Sequence, residues 1–405
     1  MPPARLALLA VLAVPTTARA SGFLLYEQSA PAMARGAAVV AATHDPSAAW
    51  FNPAAVTDLP DWGASLSTAL VWPSTRFSPA AGGEDTRAGG RLSLVPGLFA
   101  HGRLSDRLRL SLAVLAPFGL YVQWPEGWAG AEQSLKTDLK ILAVNPSVAF
   151  RLNDRWSVAA GASPIRGLVK LAIALPAPND GGRADLDGAA WGFQANLAVL
   201  WKALPERLHL GLTYRSRTRL DFKGTADFSG VAPGLQETLP DQGVKASITL
   251  PDVFAFGVMW RPLPRLELDA EIDWVLWSTF KELFIDFENP GTPFDRSIKR
   301  SSVKPLTGRL GAQWDWLDLG LCARAGASYD QSASRKDTLA PSAPDANRVG
   351  LATGVGWQHG RFTVDLAYLF ALFLPAESSG PNAKPEGTYR TRAHVLAITL
   401  GARVP

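Results

Sequence analysis

Five histidines, His44, His101, His209, His359 and His394, are scattered along the chain. A nucleophilic hydrolase needs a serine, a histidine and a carboxylate that converge. No G-x-S-x-G elbow occurs, and His209 with Thr213 is the nearest approach to a base beside a hydroxyl. Four carboxylates, Glu267, Asp269, Glu271 and Asp273, recur at every second position. Acid–base catalysis uses a convergent pair, whereas this spacing lays a stripe along one face of a strand. His209, Thr213, Arg215, Arg217 and Arg219 form a second stripe. Two readings follow: ion pairs that brace a polar interior, or a path for protons or ions. Cys322 is the single cysteine, so no intramolecular disulfide forms. No Cys/His spacing suggests a metal site, and no cofactor is implied.

The elements that would hold those stripes are strands. Leu108, Leu110, Leu112 and Val114 alternate with Arg107, Arg109 and Ser111, and Phe362, Val364, Leu366, Tyr368 and Phe370 behave alike. Short turns fall at Gly102 to Asp106, Asn153 to Arg155, Ala203 to Glu206, Pro262 to Pro264, Asp315 to Leu317 and His359 to Arg361. Between them lie long polar segments: Ser74 to Gly90, Gly119 to Thr137, Ala174 to Asp187, Gly224 to Asp241, Asn289 to Ile298, Gln331 to Ala346 and Pro375 to Gly387. Six short and seven long connections make fourteen strands. Strict alternation and an even count are the signature of an antiparallel transmembrane β-barrel of the outer membrane. Of the 14 tryptophans, Trp156, Trp201, Trp260, Trp314, Trp316 and Trp357 sit beside short turns, where an aromatic girdle belongs.

The chain starts with a secretory leader over residues 1–20. Arg5 is its basic start, Leu6 to Val14 its short apolar run and Ala18-Arg19-Ala20 its cleavage site. No apolar stretch of about 18 residues or more follows, so no transmembrane helix is expected. Setting aside Arg5 and Arg19, the remaining lysines and arginines nearly balance the 36 acidic residues, and no basic field points to nucleic acid. Residues 21–62 lack the strand pattern. Met33 to Ala42 is Ala-rich and helix-compatible, and Asp45-Pro46-Ser47 starts a second short helix over Ala48 to Val56, broken at Pro53. A segment this short has no independent core, so it reads as a helical hatch that plugs the barrel of residues 63–405.

With the strands counted, a family resemblance becomes visible. Ser21-Gly22-Phe23, Arg35-Gly36 and Asn52-Pro53-Ala54 resemble the hatch of the FadL/TodX outer-membrane transporters. Pro117-Phe118-Gly119-Leu120, Tyr214-Arg215-Ser216, Asp221-Phe222-Lys223-Gly224, Leu250-Pro251-Asp252, Trp274 with Trp277-Ser278 and Phe280, and Pro344-Asp345 with Arg348 continue the resemblance in family order. The chain departs from the pattern in ending on Ala402-Arg403-Val404-Pro405 rather than on an aromatic residue.

The resemblance implies passive uptake of hydrophobic small molecules, long-chain fatty acids above all, by a monomer surrounded by outer-membrane lipid and lipopolysaccharide. Neutral aromatic hydrocarbons by the same route are the alternative, and an outer-membrane lipid hydrolase or an open porin is a more distant one. It implies an extracellular groove, an internal pocket and sideways exit at an inward kink of the third strand. Here that strand, Arg107 to Ala116, is interrupted at Pro117, Phe118 and Gly119, residue types that suit a wall defect; an ordinary strand end is the plainer reading. Asn52, Pro53 and Ala54 would face the kink and close it. Leu120, Tyr121, Trp124 and Trp128 would form the groove with the segment Ala174 to Asp187, unless they only pack among the loops. Phe23 would reach into the pocket. Lys299, with Arg300 adjacent, would meet a carboxylate; the family's second arginine falls at Ile173, with Lys170 and Arg166 nearby.

Overall fold

The computed structural model describes residues 22–42, 44–176, 181–234, 236–237, 239–279, 282–289, 296–299 and 305–404 except 382, with backbone alone at 282–284 and 296–299. The leader expected over residues 1–20 and Arg300 lie outside the described residues. Fourteen strands form one antiparallel barrel. They are β1 (Trp62–Pro79), β2 (Ser93–Arg103), β3 (Leu108–Gln123), β4 (Lys136–Arg151), β5 (Trp156–Ala174) and β6 (Arg183–Leu204). Next come β7 (Leu208–Arg215, then Thr218–Ser229), β8 (Gln242–Leu250, then Val253–Leu263), β9 (Leu266–Val275, then Glu282–Phe287) and β10 (Arg296–Lys299, then Leu306–Trp316). The circuit ends with β11 (Leu321–Asp330), β12 (Arg348–His359), β13 (Phe362–Phe373) and β14 (Gly387–Val404). β14 returns to β1 along an unbroken register from Trp62↔Val404 to Pro79↔Gly387.

Alternation decides which side chains meet lipid. Leu66, Leu98, Leu110, Leu310, Leu366 and Leu400 are exposed outward, while Ser65, Ser67, Phe99, Ser111 and Thr399 are buried inward. Trp156, Trp201, Trp260, Trp314, Trp316 and Trp357 are all exposed beside the short turns, where an apolar ring with one N–H suits the membrane–water boundary. No helix among the described residues is long and apolar enough to cross a membrane. The wall rises above the membrane into segments that read as loops from sequence, since β1 runs to Pro79 and β3 to Gln123. Polar strands beyond the apolar band lack a hydropathy signal that separates them from loops.

The described residues of 22–61 pack against inward-facing side chains of the barrel wall. Their helix α1 spans Ala30–Ala34, capped by Ser29 with Pro31 in its first turn; it ends before Gly36, whose φ of 62° favours glycine. The helix expected over Met33 to Ala42 is therefore mostly turns. Helix α2 covers Ala48–Phe51, and a 3-10 turn covers Pro53–Asp58. Gly326 and Gly211 let this segment touch the wall: a Cβ would sit 2.0 Å from the Gly36 amide in one case and 2.2 Å from the Val40 carbonyl in the other.

The carboxylate stripe on β9 anchors the hatch, as the bracing reading anticipated. Arg35 Nη2 meets Glu267 at 2.6 Å and Arg35 Nε meets Asp269 at 2.9 Å. Arg309 joins Asp273 at 2.9 Å and Asp330 at 3.0 Å, and donates to the Gly36 carbonyl at 3.0 Å. The Val40 amide donates to Glu271 at 2.8 Å. The β7 stripe differs from expectation. His209 is buried and Arg215 lies 3.3 Å from the Trp50 ring centre, but Arg217 and Arg219 are exposed. The strand breaks between Arg215 and Thr218, and restarting one residue out of phase sends later odd-numbered side chains to the other face.

Candidate functional site

The ladder between β2 and β3 is incomplete. It runs from Arg103↔Arg109 up to Gly97↔Leu115 and stops. Above that point Ser93–Pro96 remains paired with β1, and Phe118–Gln123 with β4 after a register shift at Leu115/Phe118. The two edges are joined again at the top, where the Gly89 amide donates to the Gln123 carbonyl at 2.7 Å. A window thus stands in the wall. Each facing edge carries a proline, Pro96 on β2 and Pro117 on β3, and neither can donate to a ladder. Pro96 is legible in the sequence as a strand-interior proline, a second breaker of the same kind as Pro117.

The segment Gly22 to Gln28 crosses the inside of this window. Leu24 makes an antiparallel bridge to Phe118; the Leu25 amide donates to the Pro117 carbonyl at 2.9 Å, and the Gly119 amide to the Phe23 carbonyl at 3.1 Å. Gln28 donates to the Ala116 carbonyl at 2.9 Å. Gly22, with φ of 65°, lies against Trp277, where a Cβ would fall 2.8 Å from the indole. That turn sets the Phe23 ring 4.6 Å from Trp277 and 5.9 Å from Phe118, centre to centre.

Asn52, Pro53 and Ala54 sit elsewhere. Asn52 Nδ2 donates to the Val40 carbonyl at 2.6 Å and to the Val199 carbonyl of β6 at 3.2 Å, while its Oδ1 accepts the Ala54 amide at 3.0 Å. Ala54 packs with Ala149, Ala159, Ala198 and Leu200, on β4, β5 and β6. This segment pins the hatch to the lower wall, and Phe23 to Gln28 meet the window instead. Sequence could not separate the two because both are short apolar stretches of the same plug.

Inside the window lies a cavity of about 680 Å³. Phe23, Leu25, Val95, Leu139, Phe222, Ile248 and Trp277 give it an apolar wall. Its lining also includes Leu94, Pro96 and Leu142, which alternate with the inward Val95 and Leu139 and so face outward. The cavity therefore continues through the wall toward lipid. Below it the interior changes character: Ser65, Arg109, Ser111, Asn145, Ser147, Asn196, Glu267 and Asp269 are buried polar groups of the lower barrel. The lumen is layered, apolar above and polar below.

The extracellular side is covered. Trp124 and Trp128 stack at 4.2 Å and are buried against Phe77, Val122, Leu135, Leu339 and Tyr389. Both indole N–H groups are satisfied, Trp124 by the Pro341 carbonyl at 3.1 Å and Trp128 by the Ser134 carbonyl at 2.9 Å. Of the two readings of these tryptophans, a groove or packing among the loops, the second holds, because long loops from several strands converge on them. Leu120 and Tyr121 line the cavity on the window's edge.

The cations also differ from expectation. Lys170 is exposed on the face of β5 opposite Val169, Leu171 and Ile173, which line the cavity. Arg166 points outward over the Trp191 ring at 5.0 Å. Lys299 ends the first piece of β10, paired with Glu282, and its side chain lies outside the described residues. Arg348, Arg91 and Lys136 line the cavity and were not among the expected contacts. Arg348 is held by Asp330 at 2.9 Å, and Arg91 lies 3.7 Å from Asp138 and 5.4 Å from the Tyr121 ring centre.

Residues 11–405 match the family model described as outer membrane protein transport protein (OMPP1/FadL/TodX). The chain belongs to this family. An outer membrane protein of Neisseria meningitidis serogroup B is 24% identical, the match covering 94% of this chain and 93% of that one. The long-chain fatty acid transport protein of Salmonella typhi is also 24% identical, over 85% of this chain and 86% of the relative. Among solved structures, a Pseudomonas aeruginosa FadL homologue superposes with a TM-score of 0.84 at 20% identity, covering 94% and 99% of the two chains. The Pseudomonas putida toluene transporter TodX gives 0.72 at 14%, covering 95% and 99%. This FadL/TodX member is a bacterial outer-membrane barrel that transports hydrophobic compounds and is not an enzyme.

Proposed function

We propose that this barrel takes up long-chain fatty acids, holds them in the cavity behind the window and releases them sideways into the membrane. The observation that carries the reading is the cavity that runs from the apolar interior through the β2–β3 gap. Straight passage downward opposes an alkyl chain, since each CH2 leaving an apolar site for a wet, polar one costs about 0.8 kcal/mol. The window offers a path on which the chain stays in apolar surroundings throughout. Phe23 and Trp277 line it, and Leu25 and Gln28 bridge its inner edge. Arg348 supplies a cation on the cavity wall for a carboxylate, and Lys299 is a second candidate on the family resemblance alone. Relatives named for long-chain fatty acid transport favour the same substrate.

Uptake of monoaromatic hydrocarbons is the second reading. It is favoured by the rings of Phe23, Phe118, Phe222, Phe287 and Trp277 around the cavity and by the fold shared with a toluene transporter. A binding competition between oleate and toluene on purified protein separates the two. Oleate should displace toluene, and Arg348→Gln or Lys299→Ala should weaken oleate while leaving toluene unchanged. Equal displacement, with both variants indifferent to oleate, refutes the fatty-acid assignment.

A further inference from the structure

The outer rim of the barrel carries a concentration of arginines that neither hatch nor cavity uses. On β1, Trp72 stands opposite His394 of β14; one outward pair higher Ser74 stands opposite Arg392, and the next pair is Arg76 and Arg390. Arg76 is also in register with Arg87 on the short strand Thr86–Arg87. Three arginines, Arg87, Arg76 and Arg390, thus lie side by side across three strands, with Arg392 below Arg390. All face outward, because the intervening Thr75, Phe77, Tyr389 and Ala393 are buried.

Like charges placed opposite one another destabilise a sheet unless an anion lies between them. The protein supplies little of that charge. Asp85 meets Arg76 at 3.1 Å, and Arg390 donates to the Ser78 hydroxyl at 3.0 Å. Glu377, in register with Thr388, is engaged by Lys336. Arg87 and Arg392 form no ion pair among the described residues. On the far side of the barrel the same height is balanced: Lys223 and Lys245 face each other, but Asp286 is in register with Lys245, and Asp221 and Asp187 flank the pair.

Height fixes what can reach the patch. Trp72, Tyr368, Phe370 and His394 cluster directly beneath it, with Tyr368 Oη and His394 Nδ1 2.7 Å apart. Such amphipathic rings mark the boundary between hydrocarbon and head groups. Arg392 lies one outward pair above that belt and Arg76, Arg87 and Arg390 two pairs above, about 10 Å higher along a tilted strand. That is the head-group layer of the outer leaflet. Guanidinium forks match phosphate oxygens bidentately, and several converging on one level suit a multiply phosphorylated head group.

We infer that Arg76, Arg87, Arg390 and Arg392 form a binding site on the outside of the barrel for the phosphates of an outer-leaflet glycolipid. The site is separate from the transport cavity. Its occupant neutralises the patch and fixes the orientation of the β14–β1 face in the leaflet.

The test uses native mass spectrometry of the full-length barrel in mild detergent, offered bisphosphorylated lipid A or its dephosphorylated form. The wild-type chain should retain the bisphosphorylated lipid at least about tenfold better, the scale of losing one charge-assisted contact. The triple variant Arg76→Gln, Arg390→Gln, Arg392→Gln should lose that preference, while Lys223→Gln with Lys245→Gln keeps it. Arg392→Gln alone, which breaks no ion pair, should weaken retention in part and guards against a folding defect in the triple variant. Equal retention of the two lipids by the wild-type chain, or an unchanged preference in the triple variant, overturns the inference. Displacement of the lipid by equimolar inorganic phosphate overturns it in favour of a site for the free ion.

Discussion

Replacing Arg35 with leucine removes the central tie between hatch and wall, and the structure sets the size of the effect. Glu267 keeps two partners after the change, Arg261 at 2.5 Å and His44 at 3.0 Å. Asp269 loses its cation, and its Oδ1 is already without a hydrogen-bond partner. Both acids are almost fully buried, with side chains 1% exposed. Removing one member of a buried ion pair costs about 3–5 kcal/mol, and the lower end applies here because only one carboxylate is stranded. At about 1.4 kcal/mol per decade, the docked-to-undocked ratio of the hatch falls roughly a hundredfold. Amide hydrogen exchange across Ala30 to Asp58 should speed up by that factor while the barrel strands stay protected. Single-channel recordings should show brief openings absent from the wild type. Combining Arg35→Leu with Asp269→Leu should restore most of the protection, since no charge is then stranded. Unchanged exchange in the single variant, or a double variant as loose as the single, would refute the account of how the hatch is held.

Two other consequences concern the window and the loops. Changing both Pro96 and Pro117 to valine restores an N–H on each facing edge, so the β2–β3 ladder should extend upward and fatty-acid uptake by cells should fall to background with the barrel still heat-stable; undiminished uptake would count against exit through the wall. Burial pushes the Asp345 carboxyl above its usual value although the Ala333 amide at 2.7 Å and the Ser332 hydroxyl at 3.0 Å both donate to it. For an acid raised on folding, its stabilising contribution is full below the unfolded value near about 3.9 and is lost as pH rises through the higher folded value. The loop Gln331 to Asn347 should therefore open more readily at neutral than at acid pH, and Asp345→Asn should flatten that dependence in a hydrogen-exchange series; a wild-type loop indifferent to pH would contradict it.

Strand number, strand direction and the in–out sense of nearly every wall residue were legible without coordinates, because period-two alternation is a local property imposed by a solvent boundary on both faces. The girdle tryptophans and the bracing role of Glu267 to Asp273 followed from the same alternation. What failed were statements about phase and partnership. Arg217 and Arg219 point outward because a single break in β7 shifts the phase by one residue, and nothing local in Arg215-Ser216-Arg217 fixes where the ladder resumes. For Trp124 and Trp128 a groove and packing among the loops both stayed open, because the groups that bury them, Phe77, Leu339 and Tyr389, come from distant parts of the chain.

Local chemistry thus determined that this chain must close on itself as a cylinder with a greasy exterior and a short plug. Only the folded molecule decided that the Pro96 and Pro117 edges part along an unzipped seam, that Phe23 to Gln28 rather than Asn52 to Ala54 lie behind it, and that three arginines from three strands meet at one level with a fourth one pair below. Each of those facts is a register between segments distant in sequence, and register is set by the closure of the whole barrel rather than by any residue's own preference.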